Sequence, residues 1–180
     1  MTVETPATGR PLVVLVGPPA AGKSVVGTML AGQFGAPLVD TDAEVEAVAG
    51  KPVGDIFVDD GEPAFRDLER AAAERALAAG GAVVALGSGA VLDPGIQRLL
   101  TGQPVAYLAA GFTAIARRLG LDRPRVIIPG NPRGRLRSML DERRPVYERL
   151  AAFTVPSDDL APEEITDEIA AWLGHEAMER

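Results

Sequence analysis

Short apolar runs alternate along the chain with segments of helical spacing. Continuous apolar stretches, which lack the polar alternation of a half-exposed strand, are typical of parallel strands buried on both faces. Helical segments separate these runs, so the order β-α-β repeats and helices cover both sides of the sheet. We therefore predict an α/β fold of three layers (α/β/α) around a central five-stranded parallel sheet. The predicted strands are PLVVLV (11–16), APLVD (36–40), AVVALG (82–87), PVAYLA (104–109) and, at the edge, FTV (153–155).

One connecting segment differs from the others in its proline and glycine content. Residues 120–134, GLDRPRVIIPGNPRG, contain three prolines and three glycines, which argue against a regular helix there. Such a segment beside a binding site is suited to close over it, so we predict a mobile lid. The remaining connections are predicted to be helical, at 24–34, 41–80, 93–101, 110–119, 135–152 and 161–174.

Length and composition narrow the class of protein. With 180 residues, of which 47% are hydrophobic, the chain can form one domain with a proper core, and we expect residues 1–180 to be that domain. The absence of cysteine excludes disulfides and thiolate metal sites. The single histidine, His175, excludes a histidine-rich metal site and is interpreted as a surface residue of the last helix.

Charge and aromatic content bear on partners and location. The net charge is −7, and the chain has only five phenylalanines, two tyrosines and one tryptophan, which argues against nucleic-acid binding. The first residues are polar, and no run of about 18 apolar residues follows that could span a membrane. We therefore expect a cytoplasmic, monomeric protein whose partners are small molecules.

The stretch GPPAAGKS at residues 17–24 fits the pattern G-x-x-x-x-G-K-[ST], after a predicted strand and before a predicted helix. In such a loop, backbone N–H groups hold phosphates, the lysine reaches the β- and γ-phosphates, and the hydroxyl contacts Mg²⁺. Lys23 is one of only two lysines beside sixteen arginines, and its compact ammonium fits where a guanidinium would not. The predicted nucleotide-binding residues are Gly17, Ala20, Ala21, Gly22, Lys23, Ser24 and Val25.

Two carboxylates follow the second predicted strand, in DTD at residues 40–42. Ligands of α/β folds bind beyond the carboxyl ends of the strands, where these residues lie. Asp40 and Asp42 could divide two tasks, one ordering the water shell of a metal and the other accepting a proton from a substrate hydroxyl. Either residue could instead cap the following helix, and the spacing of two fits both interpretations.

Arginine is concentrated in one region. Ten of the sixteen arginines lie between Arg117 and Arg149, with only four acidic residues among them. A solvated helix face accounts for about half of these arginines, including Arg135, Arg137 and Arg144. The others are candidates to close over a polyanionic site, because a transferred phosphoryl group and a substrate carboxylate both need bidentate donors.

Four stretches occur in one order: GPPAAGKS, DTDAEVE (40–46), GEPAFRDLE (61–69) and RRPVYE (143–148), the last with the pattern R-x-P-x-Y. In these stretches the chain resembles the shikimate kinases, small P-loop kinases of the nucleoside-monophosphate-kinase type, and the likeness extends from about residue 11 to 173. The resemblance implies a P-loop kinase fold, ATP as co-substrate with Mg²⁺, and phosphorylation of the 3-hydroxyl of shikimate. It also implies an acceptor-binding region at about residues 40–70.

The resemblance implies roles for five side chains. Asp42 would contact the ring hydroxyls and act as the base, and Asp40 would order the water shell of Mg²⁺. Arg66 and Arg143 would bind the shikimate carboxylate. Glu69 would hold Arg66 in place from one helical turn away.

The family has a lid arginine that reaches the ATP phosphates. Counting back from Arg143 without gaps places Arg125 at that position, and Arg123 is the alternative. The catalytic residues implied are therefore Lys23, Asp42 and Arg125.

A glycine triplet that lies against the substrate in this family reads Gly87-Ser88-Gly89 in this chain. The side chain of Ser88 takes space beside the ring, which leaves open a kinase for a related polyhydroxylated acid or a carbasugar. A non-catalytic nucleotide-binding module is a third possibility, against which the acceptor-side residues Asp42 and Arg66 argue.

Overall fold

The central layer of the molecule is a five-stranded parallel sheet. The computed structural model describes residues 9–122 and 131–178. The order of the strands is β2-β3-β1-β4-β5, and every pair is parallel. The predicted five-stranded parallel sheet is confirmed, with β5 at the edge. The strands are β1 Val13–Val16, β2 Leu38–Asp40, β3 Val83–Ala85, β4 Val105–Ala109 and β5 Phe153–Pro156.

Helices connect the strands. Side-chain oxygens of Asp40, Asp93 and Asn131 accept hydrogen bonds from the first turns of α2, α5 and α7, and so begin these helices. No helix in residues 9–122 and 131–178 is long and apolar enough to cross a bilayer. The helices are α1 Lys23–Phe34, α2 Thr41–Ala49, α3 Val53–Asp59, α4 Gly61–Ala78, α5 Pro94–Leu100, α6 Phe112–Arg118, α7 Pro132–Leu150 and α8 Pro162–Met178, with a 3₁₀ turn at Ala90–Leu92.

The two faces of the sheet each pack against helices. Side chains alternate along β1, so Val13 and Leu15 pack with residues of α1 and α8, whereas Val14 and Val16 pack with residues of α4 and α5. All four are at most 1% exposed. Burial on both faces explains the continuous apolar runs of the sequence and produces the three layers.

A smaller core joins α2, α3 and α4 away from the sheet. It consists of Val45, Ile56, Phe65 and Ala72. Phe65 is adjacent to Arg66, so packing of the phenylalanine fixes the turn of α4 that carries the arginine. The predicted acceptor region of residues 40–70 therefore has its own apolar support.

The start of α7 corrects the prediction for residues 120–134. The last three residues of that segment are helical, since α7 begins at Pro132. Proline is favoured at the first position of a helix, where its missing N–H leaves no bond unmade, and Asn131 Oδ1 accepts from the Gly134 N–H at 2.8 Å. Residues 123–130, with Arg123 and Arg125, lie outside the described residues.

The chain changes direction across the sheet at β1. The first connection leads to β2, the chain returns to β3 beside β1, and it then crosses β1 to form β4 on the other side. The carboxyl end of β1 is therefore a topological switch point, at which α/β folds bind ligands. The loop at residues 17–22 leaves β1 at this point.

Three residues of this loop, Gly17, Ala20 and Gly22, have positive φ. Gly17 has φ 150°, and a Cβ there would lie 2.7 Å from the carbonyl oxygen of Leu108. Ala20 has φ 58° and is the one non-glycine residue with positive φ in the described part of the chain. A left-handed conformation costs a residue with a Cβ about 1–2 kcal/mol, so Ala20 stores strain in the loop.

We expect Ala20→Gly to stabilise the protein by about 0.5–1 kcal/mol, since relief of the left-handed strain exceeds the entropy cost of glycine. In thermal unfolding this corresponds to a rise in Tm of roughly 1–4 °C. Ala21→Gly is the matched control. Ala21 is buried and its φ is not positive, so its replacement should lower Tm. A lower Tm for both variants would contradict the strain at Ala20.

Candidate active site

The loop at residues 17–22 and the start of α1 form one wall of a cleft of about 260 Å³. Gly22 caps α1 without a side-chain hydrogen bond, and the first turn contains no acidic residue, so the first N–H groups of the helix are open to an anion. Of the residues predicted to bind nucleotide, Ala21 is buried in the core and Gly17 packs against β4. The others line the cleft: Ala20, Gly22, Lys23, Ser24 and Val25.

Lys23 is held at the mouth of the loop. Its Nζ donates to the carbonyl oxygens of Gly17 at 2.9 Å and Pro18 at 3.0 Å. Burial lowers the pKa of Lys23 to about 8, although the charges of Asp42 and Asp40 act in the opposite direction. An anion bound beside this ammonium would favour the protonated form.

Asp40 makes hydrogen bonds through both carboxylate oxygens. Oδ1 accepts from the N–H groups of Asp42 at 3.1 Å and Ala43 at 3.3 Å, as a helix cap does. Oδ2 accepts from the Ser24 hydroxyl at 2.5 Å. The capping role and the position beside the loop serine therefore belong to the same residue.

The pair of Ser24 and Asp40 is suited to Mg²⁺ by its chemistry. Hydroxyl and carboxylate oxygens are hard donors, and Mg²⁺ usually takes one or two of them together with phosphates and water. Among residues 9–122 and 131–178 no group of three or more His, Cys, Asp or Glu could hold a metal ion by itself. Two protein oxygens would leave the other coordination positions of a bound Mg²⁺ to phosphate and water.

Asp42 shares the cleft with Lys23 and lies against the loop after β3. A Cβ at Gly87 would come within 2.7 Å of Asp42 Oδ1. Partial burial raises the pKa of Asp42, and the positive charge of Lys23 opposes this shift. The carboxylate is therefore a better proton acceptor than an exposed aspartate.

The glycine-serine-glycine loop at residues 87–89 lies between Asp42 and Arg66. The Gly87 N–H donates to the buried Thr41 hydroxyl at 2.8 Å, which fixes the loop beside β2. A Cβ at Gly89 would lie 2.5 Å from Arg66 Nη1. A side chain at either glycine would therefore displace the carboxylate of Asp42 or the guanidinium of Arg66.

Arg66 is held by two glutamates of its own helix. Its Nη1 donates to Glu69 at 2.7 Å, and its Nε and Nη2 donate to Glu62 at 3.2 and 3.1 Å. The predicted contact between Arg66 and Glu69 is present. Burial raises the pKa of Glu69, and the charge and hydrogen bond of Arg66 oppose that shift.

Arg143 belongs to α7 and lies across a cleft from Arg66 of α4. The two guanidinium groups line a second cleft, of about 660 Å³, between α4 and α7. Arg143 Nη1 donates to the Ser88 hydroxyl at 3.1 Å, and the Tyr147 hydroxyl donates to the Ser88 carbonyl at 2.7 Å. Arg143 Nε is buried and has no hydrogen-bond partner within the described residues.

Three residues of this region were missed in the sequence. Thr41 and Tyr147 stand inside the motifs DTD and R-x-P-x-Y, but no spacing rule connects them to residues 87–89. Arg118 donates to the carbonyl of Ala20 at 3.1 Å and to that of Ser157, and so links the loop after β1 to the chain after β5. It stands beside Arg117 in the sequence, and nothing there distinguishes the two.

The sequence of the chain is similar to those of known shikimate kinases. A family model described as shikimate kinase matches residues 19–174. The chain is 51% identical to a shikimate kinase of Thermobifida fusca over 91% of its own length and 95% of the relative. It is 46% identical to a shikimate kinase of Salinispora arenicola over 91% and 98% of the two chains.

A solved structure gives the same result at the level of the fold. A shikimate kinase from Acinetobacter baumannii in complex with shikimate superposes with a TM-score of 0.82, at 29% identity, covering 91% of this chain and 93% of that one. The α/β/α layers with a phosphate-binding loop are thus a P-loop kinase fold. Sequence, fold and matched relatives agree, and the chain belongs to the shikimate kinase family.

Proposed function

We propose that this protein transfers the γ-phosphoryl group of Mg-ATP to the 3-hydroxyl of shikimate. The observation that carries the proposal is the position of Asp42. It shares the loop cleft with Lys23 and packs against the residue 87–89 loop, which also contacts both arginines of the second cleft. A hydroxyl beside Asp42 would thus lie between a phosphate site and a carboxylate site.

On the nucleotide side, the loop and α1 would bind the phosphates of ATP. The N–H groups of the loop and the Lys23 ammonium are the donors. Mg²⁺, when bound, neutralises charge on the β- and γ-phosphates. Ser24 would contact it directly and Asp40 through water. The residues proposed to bind ATP are Gly17, Ala20, Ala21, Gly22, Lys23, Ser24 and Val25.

On the acceptor side, two guanidinium groups would bind the carboxylate of shikimate. Arg143 has a buried Nε without a partner in the described residues, which a carboxylate oxygen would satisfy. Arg66 approaches from α4 on the opposite wall. Two such donors favour an acid over a neutral polyol, because charge-assisted hydrogen bonds are about twice as strong as neutral ones. Gly87, Ser88 and Gly89 would contact the ring.

In the transfer step, the oxygen of the 3-hydroxyl would attack the γ-phosphorus of ATP, and the bond from this phosphorus to the bridging oxygen would break to release ADP. Asp42 would accept the proton of the hydroxyl. Lys23 would stabilise the charge that develops on the transferred group. Arg125 is proposed as the lid arginine that reaches the phosphates, with Arg123 as the alternative, and the segment at about 120–131 as the lid. The single catalytic domain at 1–180 and the acceptor region at 40–70 are part of this proposal.

The proposal is tested by ADP release from the purified chain with shikimate, quinate, gluconate and a neutral cyclitol. We expect kcat/KM for shikimate to exceed the other values by at least about tenfold. Lys23→Met should lower kcat by more than about tenfold, a loss above about 1.4 kcal/mol, without loss of the folded state. Turnover of gluconate or the cyclitol in preference to shikimate would instead favour a related polyol or acid as the acceptor.

The activity should depend on pH through Asp42 and Lys23. A base must be ionised, so kcat/KM for ATP should fall as pH falls through the raised pKa of Asp42. The ammonium must be protonated, so kcat/KM should also fall as pH rises past about 8. Bound phosphates favour the ammonium, so the alkaline limb of kcat should lie at higher pH than that of kcat/KM. Coincident alkaline limbs would argue against Lys23 beside the phosphates.

We expect Arg143→Lys to raise KM for shikimate by roughly 10- to 100-fold and to leave KM for ATP nearly unchanged, since a point charge cannot replace a bidentate fork. Arg144→Lys is the matched control, because Arg144 is adjacent and exposed and does not line either cleft. Steady-state kinetics with both substrates varied measures the effect. An equal loss for ATP and shikimate would place Arg143 on the nucleotide side.

A further inference from the structure

Ser88 is contacted from one side by a single turn of α7. Its hydroxyl accepts from Arg143 and its carbonyl from Tyr147, and these residues are four apart on the helix. Tyr147 is 1% exposed and stacks on Tyr107 of β4 with ring centroids 5.1 Å apart. The tyrosine therefore fixes the backbone of Ser88 relative to both α7 and the sheet.

The direction of the Ser88 side chain follows from its neighbours. Asp42 fills the space at Gly87, and Arg66 fills the space at Gly89. Ser88 has no positive φ, so a side chain is accommodated there without strain. The Ser88 hydroxyl accepts a hydrogen bond from Arg143 Nη1, so the side chain reaches α7.

Arg143 Nη1 is bonded to Ser88, so the other guanidinium N–H groups remain to bind a carboxylate. Nε has no partner in the described residues, and the side chain lines the cleft of about 660 Å³. A guanidinium held at one nitrogen loses less rotational freedom when a carboxylate binds to the others. A hydrogen bond to a charged group is also stronger than a neutral one.

We infer that the Ser88 hydroxyl is a positioning group that orients Arg143 to bind the carboxylate of the acceptor. This inference rests on the proposed function and assigns to Ser88 a role in affinity for carboxylated acceptors. The serine acts through Arg143 and takes no part in phosphoryl transfer. Its hydroxyl bonds to Arg143 of α7, and the residue also lines the loop cleft with Asp42.

The test is Ser88→Ala, which keeps the Cβ and removes the hydroxyl. KM for shikimate should rise about 5- to 20-fold, while kcat and KM for ATP stay within about twofold. Thr101→Ala is the control, because the exposed Thr101 hydroxyl at the end of α5 donates to the carbonyl of Gln97 and lines neither cleft. Both KM values of that variant should equal those of the wild type.

A double-mutant cycle separates positioning from a structural effect. In an Arg143→Met background, Ser88→Ala should change KM for shikimate by less than about twofold, since the group that the hydroxyl orients is gone. Ser88→Gly should raise KM as Ser88→Ala does. Thermal unfolding of each variant shows that the folded state is retained.

Three results would overturn the inference: an unchanged KM for shikimate in Ser88→Ala, additive effects in the cycle, or equal losses in kcat and in both KM values. If the wild type turns over shikimate and Arg143→Met raises its KM but Ser88→Ala does not, the inference alone fails. If the wild type neither binds nor turns over shikimate, the proposed function fails and the inference with it.

Discussion

The pairing of β1 on both edges is the constraint from which the site follows. A strand that is buried on both faces and paired on both edges cannot shift in register without moving apolar side chains of two layers. The neighbours β3 and β4 then fix where each following loop begins. Three segments follow the carboxyl ends of parallel strands and therefore lie at the same end of the sheet. They are the residue 17–22 loop after β1, the DTD turn after β2 and the residue 87–89 loop after β3. The chemistry of the site is placed there by the sheet.

Helix α7 fixes the position of Arg143 in the same way. Leu136 and Leu140 pack into the core on one face of the sheet, and Tyr147 packs into the core on the other. The helix therefore bridges both cores, and Arg143 lies on it between the buried Leu140 and Tyr147. The position of Arg143 relative to the residue 87–89 loop is set by packing on either side of it. This explains why a single turn can hold both the hydroxyl and the carbonyl of Ser88.

Much of this arrangement could be predicted because it is local in sequence. The loop motif specifies its own turn and helix start, and apolar runs identify strands. The contact of Arg66 with Glu69 was implied by the family resemblance and joins residues one helical turn apart. The missed contacts join residues far apart: 46 positions between Thr41 and Gly87, 59 between Ser88 and Tyr147, and 98 between Ala20 and Arg118. Such contacts depend on the order of strands, which no short pattern specifies. The start of α7 was missed for a different reason, since proline is disfavoured inside a helix but favoured at its first position.

Two cations of the site, Lys23 and Arg66, are already hydrogen-bonded, so a ligand of either would exchange partners with these groups on binding. Lys23 is bonded to two loop carbonyls, and Arg66 is bonded to Glu62 and Glu69. The side chain of Glu62 is 63% exposed and that of Glu69 only 6%. An exposed ion pair contributes about 0–1 kcal/mol, whereas breaking a buried pair costs several times more. If Arg66 binds the acceptor carboxylate as proposed, that carboxylate would displace Glu62 more easily than Glu69, and Glu69 would keep the guanidinium oriented through Nη1.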